Sequence, residues 1–253
     1  MSSNSVVPNL MGLVFVLVFL GLILVFGYTR LGQLKRGLRE IPAFLRLKRA
    51  IGLAVESGQR LHISLGHGGI DGERGAAGLL GLSVIQKVSR AASISDKPPI
   101  ATSGEAALSV LSQDVMRLSY RAVNADNRYD PSSGQLSGVT PVSFVAGALP
   151  VIYDQQVSVN MLLGSFGSEV ALLADAAERT GSLTIGGSDN LPAQAVLVAS
   201  LKEPLIGEEL FAGGAYLQVN PMHSASLVAQ DVMRWVLIGF LLLGAVMKLA
   251  GLL

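Results

Sequence analysis

The stretch LHISLGHGGIDGERGAAG, residues 61 to 78, places His67 among glycines and close to two acids, Asp71 and Glu73. Those residue types suit three kinds of chemistry: proton transfer by an imidazole beside a carboxylate, metal ligation, or a glycine turn that cradles phosphate. The phosphate motif fails on spacing. Gly66 and Gly68 fit a G-x-G-x-x-G fingerprint, but Asp71 stands in the third position, where its carboxylate would repel a pyrophosphate. A Walker loop needs Lys followed by Ser or Thr, and no lysine occurs between Arg49 and Lys87. A serine-hydrolase elbow needs G-x-S-x-G, whereas LLGSFGSE sets Gly164, Ser165, Gly167 and Ser168 at other offsets. One histidine and two carboxylates have no specific metal-ligand spacing, so no metal is expected. His62 lies within an apolar run and reads as a hydrogen-bonded structural imidazole, and His223 lies near the C-terminal apolar segment.

The elements that would position such groups follow a repeated pattern. Short β-prone runs end in small residues and then pass into helical segments: LHISLG into RGAAGLLGLSVIQKVSRAAS, PPIATSG into EAALSVLSQDVMRLSYRAVNA, VSVNMLLGSFGS into EVALLADAAERTG, and SLTIGGSDN into LPAQAVLVASL. Apolar rather than alternating strands point to an α/β fold: a small parallel sheet of about four strands with helices on both faces, similar to Rossmann-like domains. Thr102 and Glu105 have capping-box spacing, Pro192 suits a first helical turn, and Gly181 suits a helix stop. PVSFVAGALPVIYDQ reads as a packed helix, and residues 125–140 as a turn-rich connection, either functional or mobile.

In such a sheet the strand ends would gather Gly66, His67, Gly68, Gly69, Asp71, Ser103, Gly104, Ser165, Ser168, Gly187, Ser188 and Asp189 at the carboxyl edge, where α/β domains bind ligands. Glycine and serine also make ordinary turns and caps there. The opening stretch reads as a turn that lines a pocket, with a small anionic ligand as the expected occupant and no catalytic set or cofactor identified.

Half of the chain is hydrophobic, 15% is charged, and the mean hydropathy is +0.52. Met11 to Tyr28 carries no charge, and its 18 residues make about 27 Å of helix at roughly 1.5 Å per residue. Neither a basic region before it nor a small-residue cleavage site after it marks a signal peptide. Trp235 to Leu253 forms a second apolar run, broken by Lys248 near its end. The expected organisation is a tail (1–10), a first transmembrane helix (11–29), a basic juxtamembrane helical segment (30–59), an α/β domain (60–220), a connection (221–234) and a second transmembrane helix (235–253).

Arg30, Lys35, Arg36, Arg39, Arg46, Lys48 and Arg49 follow the first span against one acid, Glu40. The positive-inside bias therefore sets both termini outside and the domain in the cytoplasm, and the basic segment against anionic lipid. A net charge of +1 and the lack of any reader motif argue against nucleic acid, and zero cysteines agree with a reducing compartment.

Through SLGHGGIDGERGAAGLLGL, LLGSFGSEVALLADAAERTG and TIGGSDNLPAQAVL, the chain from about Leu38 to Leu217 resembles an uncharacterised family of bacterial two-span membrane proteins, a domain of unknown function. The resemblance implies a place in the bacterial inner membrane and supplies no activity and no catalytic residue. The expected role is a non-catalytic ligand-binding, sensing or self-assembling scaffold, with the lipid bilayer and further copies of the chain as partners. The alternative is a membrane-bound enzyme, for instance a hydrolase, using His67, Asp71, Ser103 and Ser165 at the sheet edge.

Overall fold

In a computed structural model the described residues are 6–29, 39–70, 72, 75–218 and 221–251. Asp71 and Glu73 lie outside them, as do Arg30, Lys35 and Arg36. The chain divides into two units, the central one running from Glu40 to Val219 and the other formed by the two ends.

The central unit is a parallel sheet of six strands, β1 (Arg60–Gly66), β2 (Ile100–Ser103), β3 (Gly134–Leu136), β4 (Val157–Ser165), β5 (Leu183–Ser188) and β6 (Glu203–Leu205), in the order β3-β2-β1-β4-β5-β6. The expectation of about four strands finds all four, and two three-residue edge strands extend them. Helices α2 (Pro42–Glu56), α3 (Gly75–Ala92), α4 (Ala106–Arg121) and α8 (Glu209–Tyr216) cover one face. Helices α5 (Pro141–Asp154), α6 (Val170–Arg179) and α7 (Leu191–Ser200) cover the other. This is doubly wound, as right-handed crossovers require when strand order runs one way from β1 and then reverses at β4.

Both faces of β1 and β4 are therefore buried, which explains why they read as apolar runs. Leu61, Ile63 and Leu65 pack under α3, while Leu162 and Phe166 join Phe144, Leu173 and Ala177 beneath α5 and α6. The small residues of α3 and α6 serve this packing. Gly75, Ala77, Gly78 and Gly81 are buried, as are Ala174, Ala176 and Ala177. At Gly81 a Cβ would strike the Leu65 side chain and the Leu163 carbonyl, so α3 lies against the β1–β4 junction at a distance only glycine permits.

Helix α2, within the segment expected beside the membrane, buries Phe44, Leu47 and Ile51 on the sheet. Phe44 stacks on Tyr216 (5.2 Å between centroids), and Arg46 pairs with Glu203 of β6. The 125–140 connection is pinned. It forms two short 3-10 turns and β3, Tyr129 donates to the Gln113 carbonyl (3.1 Å), and Arg128 donates to the Ile94 carbonyl (3.0 Å).

The helices of the other unit, α1 (Val6–Tyr28) and α9 (Pro221–Leu249), are long and apolar enough to cross a membrane. They pack antiparallel, Gly27 near the end of α1 lying over Met222 near the start of α9. Residues 221–234, expected as a connection, form the first half of α9.

One polar row crosses the apolar sheet. His62 of β1 lies between Asn160 of β4 (Nδ1 to Oδ1, 2.6 Å) and Thr102 of β2 (Nε2 to Oγ1, 2.8 Å), with Ser64 a further 3.2 Å from Thr102. All four side chains are buried. Burial pushes the imidazole down to about 4, against the hydrogen bond that its Nδ1–H donates to Asn160 Oδ1, which raises it. The ring is thus neutral and carries one N–H, so it donates to one neighbour and accepts from the other, binding three strands in register.

Thr102 is committed to this row, and Glu105 caps α4 itself, its carboxylate accepting from the Leu108 amide (2.6 Å). The Thr102–Glu105 capping box is corrected accordingly.

The unfolded chain protonates His62 near its ordinary 6.5 and the folded chain only near 4, so stability is lost as pH falls through that window, by on the order of 3 kcal/mol in total. Denaturant midpoints of the detergent-solubilised protein, measured from about pH 7 down to about pH 4, will show this slope, and His62→Gln will flatten it while lowering stability at neutral pH.

Candidate functional site

Strand order reverses between β1 and β4, and the crevice outside a reversal is where doubly wound sheets receive ligands. Here the backbones meet closely. Gly66 ends β1 at φ +70, in the left-handed region, and a Cβ there would collide with the Ser165 carbonyl. Pairing continues beyond the strands: His67 N–H donates to Ser165 O (2.9 Å), Gly104 N–H to Gly66 O (2.7 Å) and Ser137 N–H to Ser103 O (2.8 Å).

Turning at Gly66 directs the His67 ring across the reversal. Its Nε2 lies 2.6 Å from Glu169 Oε1, and its edge meets Phe144 in a T-shaped contact (6.1 Å). The same Glu169 oxygen accepts from the Gly167 amide (2.6 Å). Burial pushes the Glu169 carboxyl up, but the amides of Gly167 and of Glu169 itself, together with His67, outweigh it and hold the group below its ordinary 4.5. Glu169 is therefore a carboxylate at neutral pH and accepts only, so the His67 proton sits on Nε2. Both side chains are largely covered, at 21% and 12% exposure.

The residues expected at this edge fall into separate groups. Gly66, His67, Gly104 and Ser165 come together; a Cβ on Gly104 would lie 2.6 Å from that of His67. Gly68 is buried beside them and Gly69 is half-buried. Ser103 belongs to the α3–α4 face and closes its own turn, its hydroxyl donating to the Glu105 carbonyl (2.9 Å) and accepting from the Glu105 amide (3.0 Å). Ser168 is exposed. Gly187 packs under Leu205 and Leu210. Ser188 accepts from the amides of Phe166 (3.1 Å) and Asn190 (3.3 Å), and Asn190 Nδ2 donates back to Phe166 O (2.9 Å). Asp189 has one buried oxygen, Oδ1, without a hydrogen-bond partner among the described residues.

Glu169 and Asn190 are the participants that sequence reading misses. The His67–Glu169 pair spans 102 positions, beyond any local motif. Only the place of Glu169 just ahead of a helical segment marks it.

The arrangement can hold a proton in one place and fix two loops to each other. For a metal it offers two donors, and among the described residues no group of three His, Asp or Glu side chains gathers. Two helix starts at this edge are capped internally, α4 by Glu105 and α5 by a Thr140–Ser143 capping box.

Replacing Glu169 by Gln keeps its size but turns two charge-assisted bonds into neutral ones, a loss of about 1–2 kcal/mol. Because the folded pKa is depressed, the carboxylate's contribution is present above the ordinary carboxyl range and is lost as pH falls below it. Denaturation of wild type and Glu169→Gln will therefore differ at neutral pH and converge in acid.

No curated protein and no solved structure matches this chain. A family model matches residues 4–252, taking in both terminal helices as well as the sheet with its His67–Glu169 pair. The chain belongs to DUF6754, described as a domain of unknown function.

Proposed function

We propose that this chain is a two-pass bacterial membrane protein whose central α/β domain works at the cytoplasmic face as a non-catalytic binding, sensing or assembly component. The observation that carries the reading is the internal matching of the groups at the strand reversal. A catalytic base must present a lone pair or a proton to an outside atom. Here Ser188 engages Phe166 and Asn190, Ser103 engages its own turn, and His67 commits Nε2 to Glu169, so that only its Nδ1 lone pair is left to serve an outside atom. The strand order is that of Rossmann-like domains, but a nucleotide phosphate in this crevice would meet the Glu169 carboxylate and would have to part it from His67.

Anchoring rests on α1 and α9. Their apolar windows bury none of their residues within the protein, and helices of such length and hydropathy need a non-aqueous surround. The basic residues after α1 set the orientation. Self-association draws support from aliphatic side chains exposed around the carboxyl edge: Val139 and Val142 at the start of α5, Leu191 at the start of α7 and Ile206 after β6.

The competing reading, a hydrolase at the same edge, is favoured by an imidazole oriented by a carboxylate.

Full-length protein tagged at each end and expressed in bacteria tests the proposal. It should remain with membranes through an alkaline carbonate wash, and protease added to spheroplasts should remove both tags and leave the 40–219 core intact. Recovery from lysate without detergent, or protection of both tags, would refute it. Hydrolysis of ester or phosphoester substrates that is lost in His67→Ala would favour the enzyme instead.

A further inference from the structure

The sheet's opposite edge carries an open groove. α2 and α3 both end at the amino side of the strands, since α2 leads into the start of β1 and α3 into the start of β2. Between their last turns lies a cavity of about 350 Å³, walled by Ile51, Val55, Ala91 and Ile94 and closed by Leu217 and Gln218. A second recess of about 220 Å³ adjoins it along Lys87, Arg90 and Gln218.

Two features set its chemistry. First, charge: Lys48, Lys87 and Arg90 line the two hollows against one acid, Glu56, and all three cations are exposed, with no carboxylate partner among the described residues. Lys87 and Arg90, in the last turns of α3, also complement its C-terminal dipole. Lys48 lies mid-helix on α2, where no helix end accounts for it. Second, the floor is aliphatic, and its rim bears a large exposed side chain, Ile94 (75%). Cations beside an aliphatic slot match a molecule with an anionic head and a hydrocarbon tail. Leu217 and Gln218 are also the last described residues before α9 in the sequence.

We infer that this groove binds an anionic phospholipid of the bilayer, its phosphate held by Lys48, Lys87 and Arg90 and the first part of an acyl chain lying over Ile51, Val55 and Ala91. The volume suits a headgroup and the start of a chain rather than a whole lipid. The inference rests on the membrane reading above and adds a specific lipid site to it.

The chain has no cysteine, so Ile94→Cys can carry a single environment-sensitive fluorophore. Detergent-solubilised full-length protein is titrated with dihexanoyl phosphatidylglycerol, dihexanoyl phosphatidylcholine and glycerol 3-phosphate. The site predicts a saturable blue shift with phosphatidylglycerol alone, weakened about fivefold by each of Lys48→Gln, Lys87→Gln and Arg90→Gln. An equal response to phosphatidylcholine, a full response to glycerol 3-phosphate, or unchanged titrations in the three variants would overturn it. The carbonate wash reads the anchoring separately: a chain that washes free sinks the membrane reading, whereas a retained chain without the lipid response sinks the groove alone.

Discussion

The fold depends on a close fit around β1. Here strand order reverses, so this strand must pair on both sides while helices press on both its faces. Space is so short that Gly66 faces the Ser165 carbonyl, Gly164 faces the Leu65 carbonyl, and Gly81 of α3 rests on Leu65 and Leu163. In that dry layer an unpaired polar group would be costly, yet His62 sits at its centre. It is tolerated because Asn160 and Thr102 satisfy both ring nitrogens, and the resulting bridge fixes β4, β1 and β2 against slippage.

That constraint shapes the two edges of the sheet differently. At the carboxyl edge the same closeness carries His67 over to Glu169, and the neighbouring loops bind one another through Phe166, Ser188 and Asn190. At the amino edge α2 and α3 end without meeting and leave an aliphatic slot between cations. The two edges thus differ in kind: one is closed by bonds between neighbouring loops, and the other is open.

Much of this architecture was legible in the sequence because fully buried parallel strands leave unbroken apolar runs, as in β1 and β4, and because Gly181 and Pro192 punctuate helices where they do for local steric reasons. Strands β3 and β6 were not legible. Each is three residues long, one within turn formers and the other beside Lys202, and each exists through pairing with a distant neighbour. Thr102 likewise carries cap-like spacing, but His62, forty positions away, claims its hydroxyl. His67 was recognisable as the group to follow; its partner was not, because Asp71 and Glu73 are near in sequence whereas Glu169 is brought near by the sheet. Local chemistry can be read from spacing, and contacts across a strand reversal cannot.

The state of the His67 ring tests the account most directly. In nitrogen-15 imidazole spectra of the full-length protein, an engaged pair predicts a slowly exchanging Nε2 proton on His67, shifted downfield by the Glu169 carboxylate and lost in Glu169→Gln. A His67 ring whose protons exchange at the rate of free imidazole, unaffected by that substitution, would contradict a self-closed carboxyl edge.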